Sequence, residues 1–162
     1  MKFYYDNATE KKYDIRHLRR HTVEYIQEAK EGKSERRYSV EVSYSNHCYT
    51  KEESDGIRVF DIDRYEQSKL LPRIMAELMT RECHHTGMMN FVTLDIDVNR
   101  TYEVYFEVFK KAGKLYLRVQ SAYIRDETRL SSQPRRAKIR FSTILFNVLH
   151  GKRIHPPQQK KQ

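Results

Sequence analysis

Three segments of alternating apolar residues, separated by very short connections, constrain the fold of this 162-residue chain more than any other feature. They are NFVTLDIDV (90–98), TYEVYFEVF (101–109) and LYLRVQSAYI (115–124). An apolar residue at every second position is the pattern of a strand with one buried face. The connections NR and KKAGK are short enough for antiparallel hairpins. We therefore predict a three-stranded antiparallel meander over these segments.

The last strand of this meander also carries polar residues that suit a binding surface. Strict alternation places Arg118 and Gln120 on one face of the strand. It places the other three polar residues of this strand and its exit on the opposite face: Ser121, Tyr123 and Arg125. Arginine forks bind phosphate oxygens bidentately, and tyrosines can stack on unpaired bases. Basic residues interleaved with tyrosine at a sheet edge suit single-stranded RNA better than the duplex major groove.

Residues 15–62 are predicted to form one helix followed by two strands. A helix over 15–30 is predicted because the residues of one stripe in that segment recur at helical spacing. Asp14 can cap this helix. The residues of the stripe are Ile15, Leu18, Thr22, Tyr25, Ile26 and Ala29. The alternating segment RYSVEVSYS (37–45) predicts a half-buried strand, and IRVFDI (57–62) predicts a second strand paired with it as a hairpin.

Two further helices are predicted. Asp63 followed by Glu66 is typical of a capping box, with an apolar helix face continuing to Met79. FSTILFNVLHG (141–151) predicts a closing helix that ends at its glycine. AKIRF (137–141), just before it, is an alternative last strand.

The element order places strands in runs rather than in alternation with helices. We therefore predict an α+β fold, in which helix, β-hairpin, helix, three-strand meander and C-terminal helix build an antiparallel sheet with flanking helices. A chain of this length predicts one domain, here residues 1–155, followed by a disordered basic tail over 156–162.

Composition excludes several protein classes. The chain has no apolar run near 18 residues, so no membrane span is expected, and its start, MKFYYDNATEKKYD, does not match a secretory signal. It contains two cysteines, each beside a histidine, which fits reduced thiols better than a disulfide framework. A cytoplasmic location is therefore expected.

The positive charge is concentrated in the last quarter of the chain. The formal net charge is +9, and residues 125–162 hold ten Lys and Arg against two acidic residues. A local basic patch predicts a polyanionic partner, here single-stranded RNA, or an acidic protein surface as an alternative. The candidate nucleic-acid-binding residues are Arg129, Arg135, Arg136, Lys138 and Arg140.

Histidines and cysteines form two further candidate sites. His84 or His85 could act as general acid or base, since histidine titrates near neutral pH. A zinc site built from Cys48, Cys83 and His85 is the alternative, although adjacent ligands are unlike the usual zinc spacings. We expect no metal or other cofactor as the first hypothesis.

Over residues 15–150, the element order resembles the RelE/barnase-like nucleases of toxin and phage systems, which are small, basic and metal-independent. The resemblance implies cleavage of RNA by attack of the 2′-hydroxyl on the adjacent phosphate. It implies that His84 or His85 acts as base or acid. Arg118 and Arg125 would stabilise the pentacoordinate phosphate, and Tyr123 would stack on or orient the nucleotide.

These observations leave the function open between an enzyme and a binding protein. The first hypothesis is a small, basic, metal-independent ribonuclease, with the histidines, arginines and tyrosine named above as its catalytic residues. The second is a nucleic-acid-binding module without catalysis. A protein-interaction or regulatory factor is the third hypothesis.

Overall fold

The structure, a computed structural model, describes residues 2–126 and 137–154, and only the backbone of Asp126. Its strands are, in chain order, β1 (Phe3–Asp6), β2 (Lys11–Asp14), β3 (His21–Gln27), β4 (Arg36–Tyr44), β5 (Thr50–Glu52), β6 (Arg58–Phe60), β7 (Cys83–His85), β8 (Asn90–Asp95), β9 (Arg100–Lys111), β10 (Lys114–Asp126) and β11 (Ala137–Ile139). Its α-helices are α1 (Ile62–Ser68), α2 (Leu71–Ala76) and α3 (Phe141–Leu149). Short 3-10 turns cover Arg16–Leu18, Asn46–Cys48 and Leu78–Thr80.

Seven strands form one mixed sheet in the order β11-β7-β8-β9-β10-β4-β3. The meander of β8, β9 and β10 is confirmed. However, β10 also pairs with β4 in parallel, with Leu115 opposite Val40 and Val119 opposite Tyr44. The predicted α+β fold with an antiparallel sheet and flanking helices is therefore wrong, since the chain is mostly sheet and the sheet is mixed. A parallel pairing between segments so far apart in the chain leaves no local signal in the sequence.

The predicted first helix is also wrong. Within 15–30 the structure has one 3-10 turn and then β3, which pairs antiparallel with β4 along its whole length. Thr22, Val23, Tyr25 and Ile26 are all residues that favour strands. Pairing with β4 therefore outweighs an apolar pattern that is also compatible with a helix.

The predicted hairpin between 37–45 and 57–62 does not form. β4 lies between β3 and β10, whereas β6 pairs with β5 in a separate small hairpin. The predicted second helix is divided into α1 and α2. Asp61, rather than Asp63, caps α1, because its side chain accepts a hydrogen bond from the backbone N–H of Arg64 at 2.8 Å.

The hydrophobic core lies on one side of the sheet, called here the inner face. Strand residues such as Val104, Phe106 and Leu117 pack there against Ile74 of α2 and Leu145 of α3, all fully buried. The predicted closing helix is confirmed as α3. The opposite side of the sheet, called here the outer face, carries most of the candidate site.

The segment Cys83–His85, whose place after a predicted helix suggests an accessible turn, is instead a buried strand. β7 pairs with β8 on one side and β11 on the other, and its three residues are all buried. Polar residues with no apolar alternation give no strand signal, so the error follows from the pattern itself.

A β-bulge in β10 changes the assignment of residues to the two faces of the sheet. Val119 pairs with Phe106 and Ser121 pairs with Tyr105, so Gln120 is an extra residue. An extra residue reverses the alternation beyond it. Arg118 therefore lies on the same face as Ser121, Tyr123 and Arg125, and the prediction that they lie on opposite faces is wrong.

Candidate functional site

The outer face of β10 carries two aromatic residues and two arginines. Tyr116 and Arg118 precede the bulge, and Tyr123 and Arg125 follow it. At about 3.3 Å per residue, these side chains span roughly 25–30 Å along the strand. The bulge thus converts two separate polar pairs into one continuous surface.

The far end of this surface is organised by a buried carboxylate. Glu103 of β9 is fully buried, and its Oε1 accepts a hydrogen bond from Nε of Arg125 at 2.8 Å. Its Oε2 accepts from the hydroxyl of Tyr105 at 2.7 Å. Nη2 of Arg125 donates to the hydroxyl of Tyr123 at 3.1 Å. Paired charges in so buried a position hold Arg125 and Tyr123 in fixed orientations.

Four rings on the outer face stack across four neighbouring strands. The ring centroids are 5.0 Å apart between His84 and Phe91, 5.3 Å between Phe91 and Tyr105, and 5.9 Å between Tyr105 and Tyr123. All three pairs are close to parallel, which is the offset-stacked arrangement of aromatic rings. His84 therefore packs at the β7 end of this row, and its imidazole is almost fully buried.

Two more arginines reach the same region from outside the sheet. The guanidinium carbon of Arg64, on α1, lies 5.3 Å from the ring centroid of Tyr123, and its Nη1 donates to the carbonyl oxygen of Thr50 at 2.8 Å. Arg58, on β6, donates to the same carbonyl at 2.7 Å. These bonds fix both guanidinium groups beside the strand. We call Arg58, Arg64, Arg118, Arg125 and His47 the arginine cluster.

His47 belongs to this cluster because the turn that follows β4 lies against β10 at the bulge. The hydroxyl of Ser45 donates to the carbonyl oxygen of Gln120 at 2.5 Å, which anchors this turn on β10. Desolvation, followed by the positive charges of Arg58 and Arg64, lowers the pKa of His47 below its ordinary value, and Arg118 adds to the effect. Cations from three separate elements therefore act on one exposed imidazole, as expected of an anion-binding surface.

The near end of the outer face contains a shallow cleft beside Tyr116. Phe109 of β9 stacks on Tyr116, with ring centroids 5.3 Å apart and planes 11° apart. The cleft has a volume of about 300 Å³ and is also lined by Arg20, Glu41 and Arg118. We call it the Tyr116 cleft.

The structure brings together three of the five residues predicted to be catalytic. Arg118, Tyr123 and Arg125 lie on the outer face of β10. His84 lies on β7, with β8 and β9 between it and β10, so about 14 Å separates the strands that carry His84 and Arg125. His85 alternates to the other face, where its Nδ1 accepts a hydrogen bond from the N–H of Gly87 at 3.0 Å, and burial lowers its pKa.

The predicted basic residues of the last quarter lie elsewhere or cannot be placed. Lys138 is on the edge strand β11, with its Nζ 3.1 Å from Glu82, and Arg140 precedes α3. Arg129, Arg135 and Arg136 fall outside the described residues. The described positive surface is thus built mainly from residues before the basic last quarter.

Both cysteines are buried free thiols, and burial raises the pKa of Cys48 and of Cys83 to about 12. Within 2–126 and 137–154, no group of three or more His, Cys, Asp or Glu side chains is arranged to hold a metal ion. A zinc site of Cys48, Cys83 and His85 therefore stays a hypothesis without a formed ligand set.

Sequence reasoning missed the residues that complete the site: His47, Arg58, Arg64, Glu103 and Tyr105. Glu103 stands in a strand whose alternation marks it as solvent-facing, so nothing signals a buried ion pair. Arg64 follows an N-cap by three residues, which identifies the helix but not the ring that its side chain covers. The turn that carries His47 gave no signal of its proximity to β10.

Comparison with known proteins identifies a family. The family model described as the YjaZ family matches residues 3–149. Protein YjaZ of Escherichia coli (strain K12) is 28% identical over 166 residues, covering 90% of this chain and 89% of that protein. No solved structure matches the chain. The resemblance to RelE/barnase-like nucleases is therefore wrong, because it rested on an element order that the structure does not have. None of the helices in the described ranges has the length and apolar content needed to cross a bilayer.

Proposed function

This chain belongs to the YjaZ family, and from the geometry of its outer sheet face we propose that it binds single-stranded RNA without cleaving it. The observation that carries the proposal is the bulge at Gln120, which aligns Tyr116, Arg118, Tyr123 and Arg125 on one surface. Single-stranded nucleic acid is bound by such combinations of phosphate-binding cations and base-stacking rings.

The charges of the arginine cluster suit the phosphate groups of an extended strand. Arg118 is exposed, and no acidic side chain lies within ion-pair distance of it among the described residues. By contrast, Arg125 is held by Glu103, so it orients Tyr123 and contributes less free charge. Arg118 and the exposed His47 are therefore the groups best suited to contact phosphate oxygens directly.

The dimensions of the outer face favour a single strand. A surface of roughly 25–30 Å along β10 accommodates an extended chain of several nucleotides, within the range bound by single sheet-based modules. The aromatic groups lie on a sheet face and not on a helix that could enter a groove. Unstacked bases can reach such rings, whereas the bases of a duplex cannot.

The distribution of titratable groups supports binding rather than cleavage. A metal-free ribonuclease needs an acid and a base on either side of the phosphate that an arginine stabilises. His84 is buried against Phe91, three strand spacings from Arg125, and His85 lies on the other face. His47 is exposed near Arg118, and the acidic group that acts on its pKa, Glu52, belongs to β5, outside the seven-stranded sheet.

The test is fluorescence anisotropy of a labelled, mixed-sequence RNA of about ten nucleotides, with single-stranded DNA and duplex RNA of the same sequence as competitors. We expect Arg118→Ala to weaken binding by about three- to tenfold, because one phosphate contact is lost. Arg73→Ala is the matched control, since Arg73 is an exposed arginine on α2, on the side of the sheet where the core lies.

Two results would contradict the proposal. The first is the absence of binding to any of the three nucleic acids at low salt. The second is an equal effect of Arg118→Ala and Arg73→Ala, which would mean that the outer face is not the binding surface. The RNA recovered from each titration is examined on a gel, where shortened products would show that binding without cleavage is wrong.

A further inference from the structure

The Tyr116 cleft has the arrangement of a slot for one planar group. The strand register places Tyr116 opposite Phe109 on one side and opposite Glu41 on the other. Phe109 stacks on the ring of Tyr116, while the cleft lies toward β4 and contains Glu41 and Ser43. A base entering the cleft would therefore meet the tyrosine ring on the side that Phe109 leaves open.

The volume of the cleft limits its occupant. At about 300 Å³ it is at the lower end of the range for small-molecule pockets, and it is open to solvent. It suits a single nucleobase whose ribose and phosphate remain outside. Arg118, beside it on β10, is then positioned for the adjoining phosphate or for an acceptor on the base.

Glu41 is the unusual member of this cleft. A carboxylate repels phosphate, so an acidic side chain opposes the binding of a polyanion unless it contacts hydrogen-bond donors. Its side chain is 33% exposed, and its Oε1 lies 3.4 Å from Nε of Arg20. A carboxylate has about four acceptor positions, so this single ion pair leaves capacity for two further donors.

Among the common bases, only guanine presents two adjacent donors, the N1–H and the 2-amino group, on one edge. Adenine and cytosine each offer an amino group beside an acceptor, and uracil offers one N–H between two acceptors. The O6 and N7 atoms of guanine also accept hydrogen bonds from arginine, which Arg118 or Arg20 could supply.

We propose that the Tyr116 cleft is a nucleobase subsite selective for guanine, in which the base stacks on Tyr116 and Glu41 accepts its N1–H and 2-amino hydrogens. This inference rests on the proposed binding of single-stranded RNA. It adds a base preference to a surface that otherwise recognises only phosphates and the stacking of bases.

The experiment compares oligouridylates of about ten nucleotides that carry one central guanosine, inosine, adenosine or uridine. Inosine lacks the 2-amino group and is otherwise identical to guanosine. Wild-type protein is expected to bind the guanosine oligomer roughly tenfold more tightly than the uridine oligomer and several-fold more tightly than the inosine oligomer. Glu41→Gln should lose most of both preferences while still binding oligouridylate.

The matched control is Glu28→Gln, an exposed acid just after the end of β3, whereas Thr22, which pairs with Glu41, is near the start of that strand. It should retain both preferences. Thermal unfolding of the two variants is measured first, and Glu41→Ala is used if Glu41→Gln does not fold. Glu41→Gln and Glu28→Gln each remove one negative charge, so a general effect of charge on RNA binding would appear equally in both variants.

The outcomes separate failure of the subsite from failure of the proposed function. Binding of oligouridylate with no preference for guanosine would overturn the subsite and leave RNA binding intact. Equal tightening of all four oligomers by Glu41→Gln would also overturn it, because Glu41 would then act only by repulsion. Absence of binding to every oligomer would overturn the proposed function, and the subsite with it.

Discussion

At the scale of single residues, the contacts of Arg125 distinguish its role from that of Arg118, although both were predicted from the same segment. Arg125 is 13% exposed in its side chain and pairs with a carboxylate that is fully buried. Arg118 is exposed on the same face. Sequence reasoning identified arginines and a tyrosine suited to phosphate and base contacts, but it could not separate an arginine that supports the fold from one that is available to a ligand.

Substitution of Arg125 is therefore predicted to affect stability first. Arg125→Met would leave the Glu103 carboxylate buried without its partner, which typically costs about 3 kcal/mol or more. The free energy of unfolding is measured by urea titration. Because Glu103→Gln removes the buried charge, the double variant Glu103→Gln/Arg125→Met should be more stable than Arg125→Met alone.

The comparison for Arg125→Met is Arg73→Met, which changes an exposed arginine whose side chain is 73% accessible. This variant should stay within about 0.5 kcal/mol of the wild type. If Arg125→Met lost less than about 1 kcal/mol, the buried ion pair would not have the structural role assigned to it here.

At the scale of elements, the strands with clear alternation and short connections were predictable, and β3 was not. The meander and α3 follow from local patterns of apolar residues. β3 has an apolar pattern compatible with two periods, and only its pairing with β4 decides between them. The bulge at Gln120 is likewise invisible in the sequence, because a register shift depends on both strands.

The turn between β9 and β10 offers a test at this scale. Lys111 pairs with Lys114, so Ala112 and Gly113 form a two-residue turn, with φ values of +50° and +77°. Positive φ at both positions is typical of a type I′ turn, which favours Asn-Gly. Ala112→Asn should raise the free energy of unfolding by about 0.5–1 kcal/mol, because asparagine adopts this conformation at lower cost than alanine.

Ala112→Val provides the opposite change at the same position. A β-branched side chain with positive φ is strained, so this variant should be less stable than wild type. Both are compared by urea unfolding. A less stable Ala112→Asn, or an unaffected Ala112→Val, would show that the turn does not hold the backbone conformation described for it.

At the scale of the whole molecule, the distribution of charge was only partly predictable. The formal net charge of +9 and its concentration in residues 125–162 pointed to a basic last quarter as the binding surface. The described cations that converge around Tyr123 come instead mostly from before residue 125, with Arg58 and Arg64 brought in by β6 and α1. Their convergence depends on the parallel pairing of β4 with β10, which no local pattern reveals.

The salt dependence of RNA binding distinguishes a local cluster from attraction by the total charge. For single strands the slope of log K against log salt is about −0.7 for each phosphate neutralised. If the arginine cluster neutralises about two to four phosphates, the slope should lie between about −1.4 and −2.8. Neutralisation by the full net charge of +9 would give a slope of about −6.

The variants make this measurement specific to the outer face. Arg118→Ala should reduce the magnitude of the slope by about 0.7, because one phosphate contact is removed. Arg73→Ala lowers the net charge by the same amount and should leave the slope within error of the wild type. A slope near −6 that both substitutions reduce equally would mean that RNA is held by diffuse attraction to a basic protein. The alignment of Arg118 with Tyr123 by the bulge would then have no part in binding.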